Sequence, residues 1–288
     1  MDYIGKVYRP PSEAKSFILQ CTVGCAENTC RFCPMYKADQ FRIRPQQEIL
    51  AALQDAGSLY SFYKRVFLAD GDALVIPTDR LLEILQECER VFPNLERVTA
   101  YSTVHDILRK SPEELKELRE AGLEMLYLGL ESGSDKILQL MDKRQNQEEY
   151  IEACLKAKEA GLKLSITMIL GLGQKELSEE HIRESAKAIS ATKPEYTAFL
   201  NLQISPEAPL YQDIQEGKFI PLGDDEVMEE LRQFIEEVDS EGTVFRANHA
   251  SNPVPIRGTL NKDKQVMLNQ IEAAVNAQDY RPESWRNL

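Results

Sequence analysis

The stretch CTVGCAENTCRFCPMY, residues 21–36, holds four of the chain's six cysteines. Their spacing is Cys21-x3-Cys25-x4-Cys30-x2-Cys33, and thiolates so arranged are ligands for a soft metal or a cluster. Structural zinc sites usually join two ligand pairs across a longer insertion, so one tight run with no second pair argues against zinc. A cubane cluster fits better, because one short loop can reach three of its corners. Cys21 closes an apolar run and Cys25 follows the turn residue Gly24. Cys25, Cys30 and Cys33 are therefore the natural loop ligands, and Cys21 reads as a buried strand residue. Cys88 and Cys154 stand apart on predicted helices as core or surface thiols. The non-enzymatic alternative is an electron carrier or cluster scaffold using all four thiols of the run.

The elements that must position this loop are legible as six strand–helix units. The predicted strands are SFILQC (16–21), RVFLAD (65–70), RVTAYS (97–102), EMLYLGL (124–130), KLSITMIL (163–170) and YTAFLNLQI (196–204). They are apolar at nearly every position, as in strands covered on both faces. Helical patterns follow at 46–56, 78–91, 112–121, 134–160 and 178–191. In the third, Ser111, Pro112 and Glu114 form a capping-box signature, and Gly122 stands at the stop, as Gly161 does after the fourth. Strand–helix alternation gives a parallel sheet, here an α/β fold with a partial (β/α)6 TIM-like barrel, whose function lies at the C-terminal strand ends. Residues 1–211 form that core. Residues 212–288 form a small α-rich extension, with helices at 224–240 and 262–277, packed on the barrel as a candidate substrate cap.

Composition narrows the functional classes. Across 288 residues the formal net charge is −13, which argues against gripping nucleic acid through many phosphates. No apolar run approaches a membrane span, and the N-terminus lacks a secretory pattern; both readings predict a cytoplasmic protein.

The residues TVGCAENTCRFC resemble the cluster loop of the radical S-adenosylmethionine superfamily, in the branch of oxygen-independent coproporphyrinogen oxidases and methylthiotransferases. The departure is the x4 gap between Cys25 and Cys30, where x3 is commonest. The resemblance implies a [4Fe–4S] cluster on Cys25, Cys30 and Cys33, with S-adenosylmethionine chelating the fourth iron and Phe32 near its adenine. It places Asp70, Gly71 and Asp72, in FLADGDALVIP, at the cofactor's amino group. Tyr101 and Ser102 are candidate ribose or methionyl contacts. Glu131, in GLESGS, is the expected cofactor ligand. Lys143 stands where a basic residue meets the cofactor carboxylate, with Arg144 its rival. Ile169, in MILGLGQ, leads into a glycine turn that lets backbone approach adenine, and Leu202 and Ile204 are candidate apolar walls.

The implied activity is reductive cleavage of S-adenosylmethionine to methionine and a 5′-deoxyadenosyl radical that abstracts hydrogen from a substrate. A flavodoxin- or ferredoxin-like electron donor would be a partner. The substrate reads as a small molecule or tetrapyrrole-like compound, with a nucleic acid or peptide as the alternative. No further cysteines are grouped for a second cluster, as methylthiotransferases require. The segment FRANHASNPVPIRG crowds Arg246, Asn248, His249, Ser251, Asn252 and Arg257 into a non-helical stretch that is the candidate substrate-facing segment. His249 is a candidate proton donor there, and hydrogen bonding that merely fixes the loop is its competitor. His105 follows the third strand with the same ambiguity. His181, in a Glu-rich helix, is expected at the surface.

Overall fold

The computed structural model describes residues 3–286. The chain divides into two compact units. One comprises residues up to Asn28, Met35–Leu128 and Glu152–Leu164; the other comprises Thr29–Pro34, Gly129–Ile151 and the chain from Ser165 onward. The first unit begins with β1 (Phe17–Gln20), followed by the short antiparallel pair β2 (Thr22–Val23) and β3 (Arg42–Ile43). It continues through α1 (Gln46–Tyr60), β4 (Arg65–Ala69), α2 (Thr78–Val91), β5 (Arg97–Ser102), α3 (Val104–Arg109) and α4 (Pro112–Glu120). Next come β6 (Leu123–Glu131), whose last residues belong to the second unit, then α5 (Asp135–Leu140) and α6 (Gln147–Glu159). The remainder runs β7 (Lys163–Leu170), α7 (Ser178–Thr192), β8 (Tyr196–Asn201), α8 (Leu210–Gln215), α9 (Asp224–Glu237), β9 (Val244–Ala247), β10 (Ile256–Thr259) and α10 (Lys264–Ala277).

The main sheet has the order β1-β4-β5-β6-β7-β8-β9-β10. In the first unit β1, β4, β5 and β6 pair in parallel, and Leu19, Val66, Phe67, Leu68, Val98 and Leu126 are buried along them beside the buried polar Gln20 and Thr99. The six expected strands are present. Ser111 caps α4 as read: its hydroxyl accepts from the Glu114 amide while the Glu114 carboxylate accepts from the Ser111 amide. Gly122 and Gly161 both adopt the left-handed backbone of helix stops.

Two differences matter for function. The helical pattern at 134–160 is two helices, α5 and α6. Asp142 turns left-handed between them, and Asn146 opens α6 by exchanging hydrogen bonds with Glu149. The C-terminal segment also supplies strands: β9 joins β8 in parallel, and β10 returns antiparallel to β9. Phe199 of β8 and Phe245 of β9 pack on Phe234 of α9, with ring centroids 4.6 and 6.0 Å away. That aromatic burial gives these four-residue strands the tertiary support that their polar and glycine residues do not advertise locally.

Candidate active site

At the end of β4, the segment Asp70-Gly71-Asp72 is built against the first part of the cysteine loop. The Gly71 amide donates to the Gly24 carbonyl at 3.2 Å. A Cβ on Gly71 would lie 2.8 Å from the Tyr36 ring and 2.9 Å from Cys25 Cβ, so only glycine permits this approach. Asp70 is tied down by the Gln20 amide nitrogen at 2.6 Å and by its own amide donating to Thr22 Oγ1. Burial nevertheless pushes its carboxyl up to about 6, against the pull of the Gln20 and Tyr36 hydrogen bonds.

Asp72 is different. It is 0% exposed, and no donor reaches either carboxyl oxygen. Burial first, and then the Asp106 carboxyl beside it, raises its pKa well above the carboxylate range. A buried acid left without donors is costly unless something supplies positive charge or a hydrogen bond. Around it, His105 Nδ1 meets the Glu27 carboxylate, which lies in the x4 gap of the cysteine run. Tyr101 contributes its carbonyl, which accepts from the Ala73 and Leu74 amides, while its ring packs on Phe67 at 4.9 Å. Ser102 is buried, and its hydroxyl donates to the Thr103 carbonyl.

In the second unit, Cys30 and Cys33 share one tight turn, with the Cys33 amide donating to the Cys30 carbonyl at 3.4 Å. Phe32 lies between them in sequence, and one apolar cluster gathers Cys30, Phe32 and Cys33 with Ile169, Leu172 and Leu202. The structure thus brings together three residues expected around adenine: Phe32, Ile169 and Leu202. Ile204 stays outside that cluster, 48% exposed, because β8 ends at Asn201 rather than at 204.

The end of β6 explains the run GLESG. Glu131 has left-handed backbone (φ 65°), is largely buried, and has one carboxyl oxygen with no hydrogen-bond partner. Its pKa is raised by burial, against the pull of Lys143, whose Nζ lies 3.9 Å away. Gly129 lies beneath this pair, and a Cβ there would sit 2.1 Å from Glu131 Oε1, so any larger residue would displace the carboxylate. Gly133 lets α7 pack against the strand end, where a Cβ would meet the Glu184 backbone at 2.3 Å. Arg144 is exposed, so Lys143 is the basic residue placed beside Glu131.

The surface position expected for His181 is overturned. It is 0% exposed, with Nδ1 on the Ser132 hydroxyl at 2.8 Å and Nε2 on the Ile169 carbonyl at 3.0 Å. Burial pushes its pKa down to about 4, so a neutral ring bonds the ends of β6 and β7. The available signal was its helical spacing with buried Ser185, Ala188 and Thr192, masked by the intervening glutamates.

Glu230 of α9 was not singled out from sequence. It receives the Gly171 amide at 2.7 Å and the Ser178 hydroxyl at 2.7 Å, clamping both ends of the glycine turn after β7. His249 Nδ1 is occupied by the hydroxyl and amide of Ser251, and Asn252 donates to the Phe199 carbonyl. These contacts fix the loop after β9. Cys21 is fully buried, and burial raises its thiol pKa strongly, which keeps it a protonated core residue. Cys88 and Cys154 are core thiols too.

Against this geometry, comparison with known proteins is informative. The Radical SAM superfamily model matches residues 19–189, more than half of the chain. The chain belongs to this superfamily; it is a radical S-adenosylmethionine enzyme whose cofactors are a [4Fe–4S] cluster and S-adenosylmethionine. Among curated relatives, the heme chaperone HemW of Bacillus subtilis is 21% identical over 200 residues, covering 67% of this chain and 52% of HemW. The chain thus spans about half the length of that relative. Among solved structures, the Escherichia coli coproporphyrinogen III oxidase HemN matches with a TM-score of 0.58 at 15% identity, over 77% of this chain and 51% of HemN. Methylornithine synthase matches with a TM-score of 0.55 at 15% identity, over 93% of this chain and 82% of that one. These structural likenesses define the fold, that of a partial TIM-like barrel.

Cys25, Cys30 and Cys33 are thiols outside any disulfide, the donor type that a [4Fe–4S] cluster takes. Among the described residues, no three His, Cys, Asp or Glu side chains converge closely enough to ligate a single metal ion. A cubane is held at separate irons, so its three cysteines need not converge on one point. No helix among the described residues is long and apolar enough to cross a membrane.

Proposed function

We propose that Cys25, Cys30 and Cys33 hold the [4Fe–4S] cluster, and that the enzyme cleaves S-adenosylmethionine reductively to abstract hydrogen from a small-molecule or tetrapyrrole-like substrate. The observation that carries this reading is the gathering of Phe32, Ile169 and Leu202 around Cys30 and Cys33, an apolar seat beside cluster ligands. The bound cofactors supply the one-electron chemistry, and the chain binds, orients and excludes water. Asp72 accepts the cofactor's ammonium group, which supplies the donors its buried oxygens lack. Lys143 meets the cofactor carboxylate, and Glu131 uses its unpartnered oxygen as a cofactor ligand. Phe32, Ile169 and Leu202 enclose adenine and keep water from the reacting carbon.

HemN's name concerns coproporphyrinogen and HemW's concerns heme, which supports a tetrapyrrole-like substrate here. The electron donor is a flavodoxin- or ferredoxin-like protein. The test is anaerobic reconstitution with iron and sulfide, followed by reduction. The wild type is expected to turn brown and to form 5′-deoxyadenosine from S-adenosylmethionine, and Cys30→Ala to do neither. A reduced, cluster-loaded wild type that forms none would overturn the proposal.

A further inference from the structure

The sheet face turned away from the helices carries two arginines that the cofactor site does not use. Strand register fixes which side chains share this face. Thr197, Phe199 and Phe245 are buried on the helix side, where Phe199 and Phe245 pack on Phe234. Alternation along a strand therefore puts Ala198, Leu200 and Arg246 on the opposite side. Thr167 pairs with Ala198, Ala198 with Arg246, and Arg246 with Arg257, so one row crosses β7, β8, β9 and β10. Every member of that row is partly or fully exposed, whereas the neighbouring buried row begins with Ile166.

Arg246 and Arg257 are directly opposed across the β9–β10 pair. Like charges in that position repel and destabilise a sheet unless something negative lies between them. Among the described residues neither forms an ion pair, although acidic residues exceed basic ones by thirteen across the chain. Arg246 Nη1 donates to the Phe245 and Gly258 carbonyls at 2.7 and 3.3 Å. That anchors the guanidinium and leaves its other N–H groups open. Two guanidinium forks on one face match the geometry of a carboxylate or phosphate better than point charges would. The Thr167 and Thr259 hydroxyls share the face and can add donors.

We infer that Arg246 and Arg257 form an anion site on the open face of β7–β10, which receives a carboxylate or phosphate group of the substrate. Arg246 lies level with Ala198, three residues before the end of β8. At about 3.3 Å per residue, the anionic group sits roughly 10 Å below the strand ends, where Leu202 and the other cofactor residues begin. The substrate is thus an anionic molecule long enough to span that depth. Its assignment as substrate rests on the proposed radical chemistry; its existence as an anion site does not.

The test is calorimetric titration of the full chain with inorganic phosphate and, separately, with citrate. S-adenosylmethionine and reductant are omitted, so the outcome does not depend on cofactor cleavage. Saturable binding of at least one probe is expected, weakened at least tenfold by Arg246→Gln with Arg257→Gln. The doubly lysine-substituted chain, Arg246→Lys with Arg257→Lys, should bind more tightly than the glutamine variant but several-fold more weakly than wild type, because the charge returns without the fork. Preference for phosphate or for citrate identifies the oxyanion and supports the site either way. If the double glutamine variant fails to fold, Arg257→Gln alone should still weaken binding several-fold. Absence of saturable binding of either probe to wild type overturns the inference, as does equal binding by the wild type and a folded glutamine variant.

Discussion

Two buried carboxylates, Asp72 after β4 and Glu230 on α9, carry the same electrostatic burden and resolve it in opposite ways. Both are 0–1% exposed, and burial raises the pKa of each, that of Glu230 to about 7. Glu230 is satisfied by the Gly171 amide and the Ser178 hydroxyl, one to each oxygen. Asp72 has no donor on either oxygen and another carboxyl, Asp106, beside it. A satisfied buried acid builds structure, whereas an orphaned one lowers stability and is explained by a ligand that completes it. The contrast separates the residue that shapes the glycine turn from the residue assigned to the cofactor.

Truncation should give the largest difference. Glu230→Ala leaves the Gly171 amide and Ser178 hydroxyl unpaired over a new cavity and should cost about 3 kcal/mol in urea unfolding at pH 5, where the contribution of Glu230 is nearly full. Asp72→Ala, which removes an acid with no donor on either oxygen, should cost far less at the same pH. Equal losses would break the comparison.

The next effect is in pH dependence. The folded-state pKa of Glu230 is raised, so its contribution is fully present below the unfolded carboxylate value, near 4.5. It is lost as pH rises through about 7. Over that window the loss is about 3 kcal/mol. Glu230→Gln can accept from the Gly171 amide and donate to Ser178, so its unfolding free energy should lack this decline between pH 4 and pH 8.

Asp72→Asn should show a smaller, two-sided effect. Removing the buried charge should raise stability at pH 8 by about 1 kcal/mol. The same change should weaken S-adenosylmethionine binding to the cluster-loaded protein about tenfold, a loss of about 1.4 kcal/mol. Gain of stability without loss of affinity would leave Asp72 outside the cofactor site.

Much of this arrangement was legible in the sequence. Six apolar runs marked the strands because strands covered on both faces leave no polar alternation to confuse them. Ser111 and Glu114 marked a helix start because a cap is a local contact between near neighbours. The run GLESG pointed to Glu131, although the reason for its glycines, contact with Glu131 itself and with the α7 backbone, is tertiary. The break before α6 was also readable, since Asn146 and Glu149 have capping-box spacing inside a stretch taken as continuous helix. Strands β9 and β10 were hidden because their support comes from Phe199 and Phe234, distant in sequence. His181 and Glu230 were hidden for a related reason: each is a buried polar residue on a helix rich in exposed acids, and only its partners distinguish it.

The central claim is that the run from Cys25 to Cys33 holds a cluster that cleaves S-adenosylmethionine. The direct measurement is 5′-deoxyadenosine formed per reduced cluster, by anaerobic chromatography, in wild type and in Cys21→Ala. The account predicts product in both proteins, since Cys21 is a buried core thiol and not a ligand. Loss of cluster and product in Cys21→Ala, with the variant still folded, would contradict it and favour the four-thiol carrier instead.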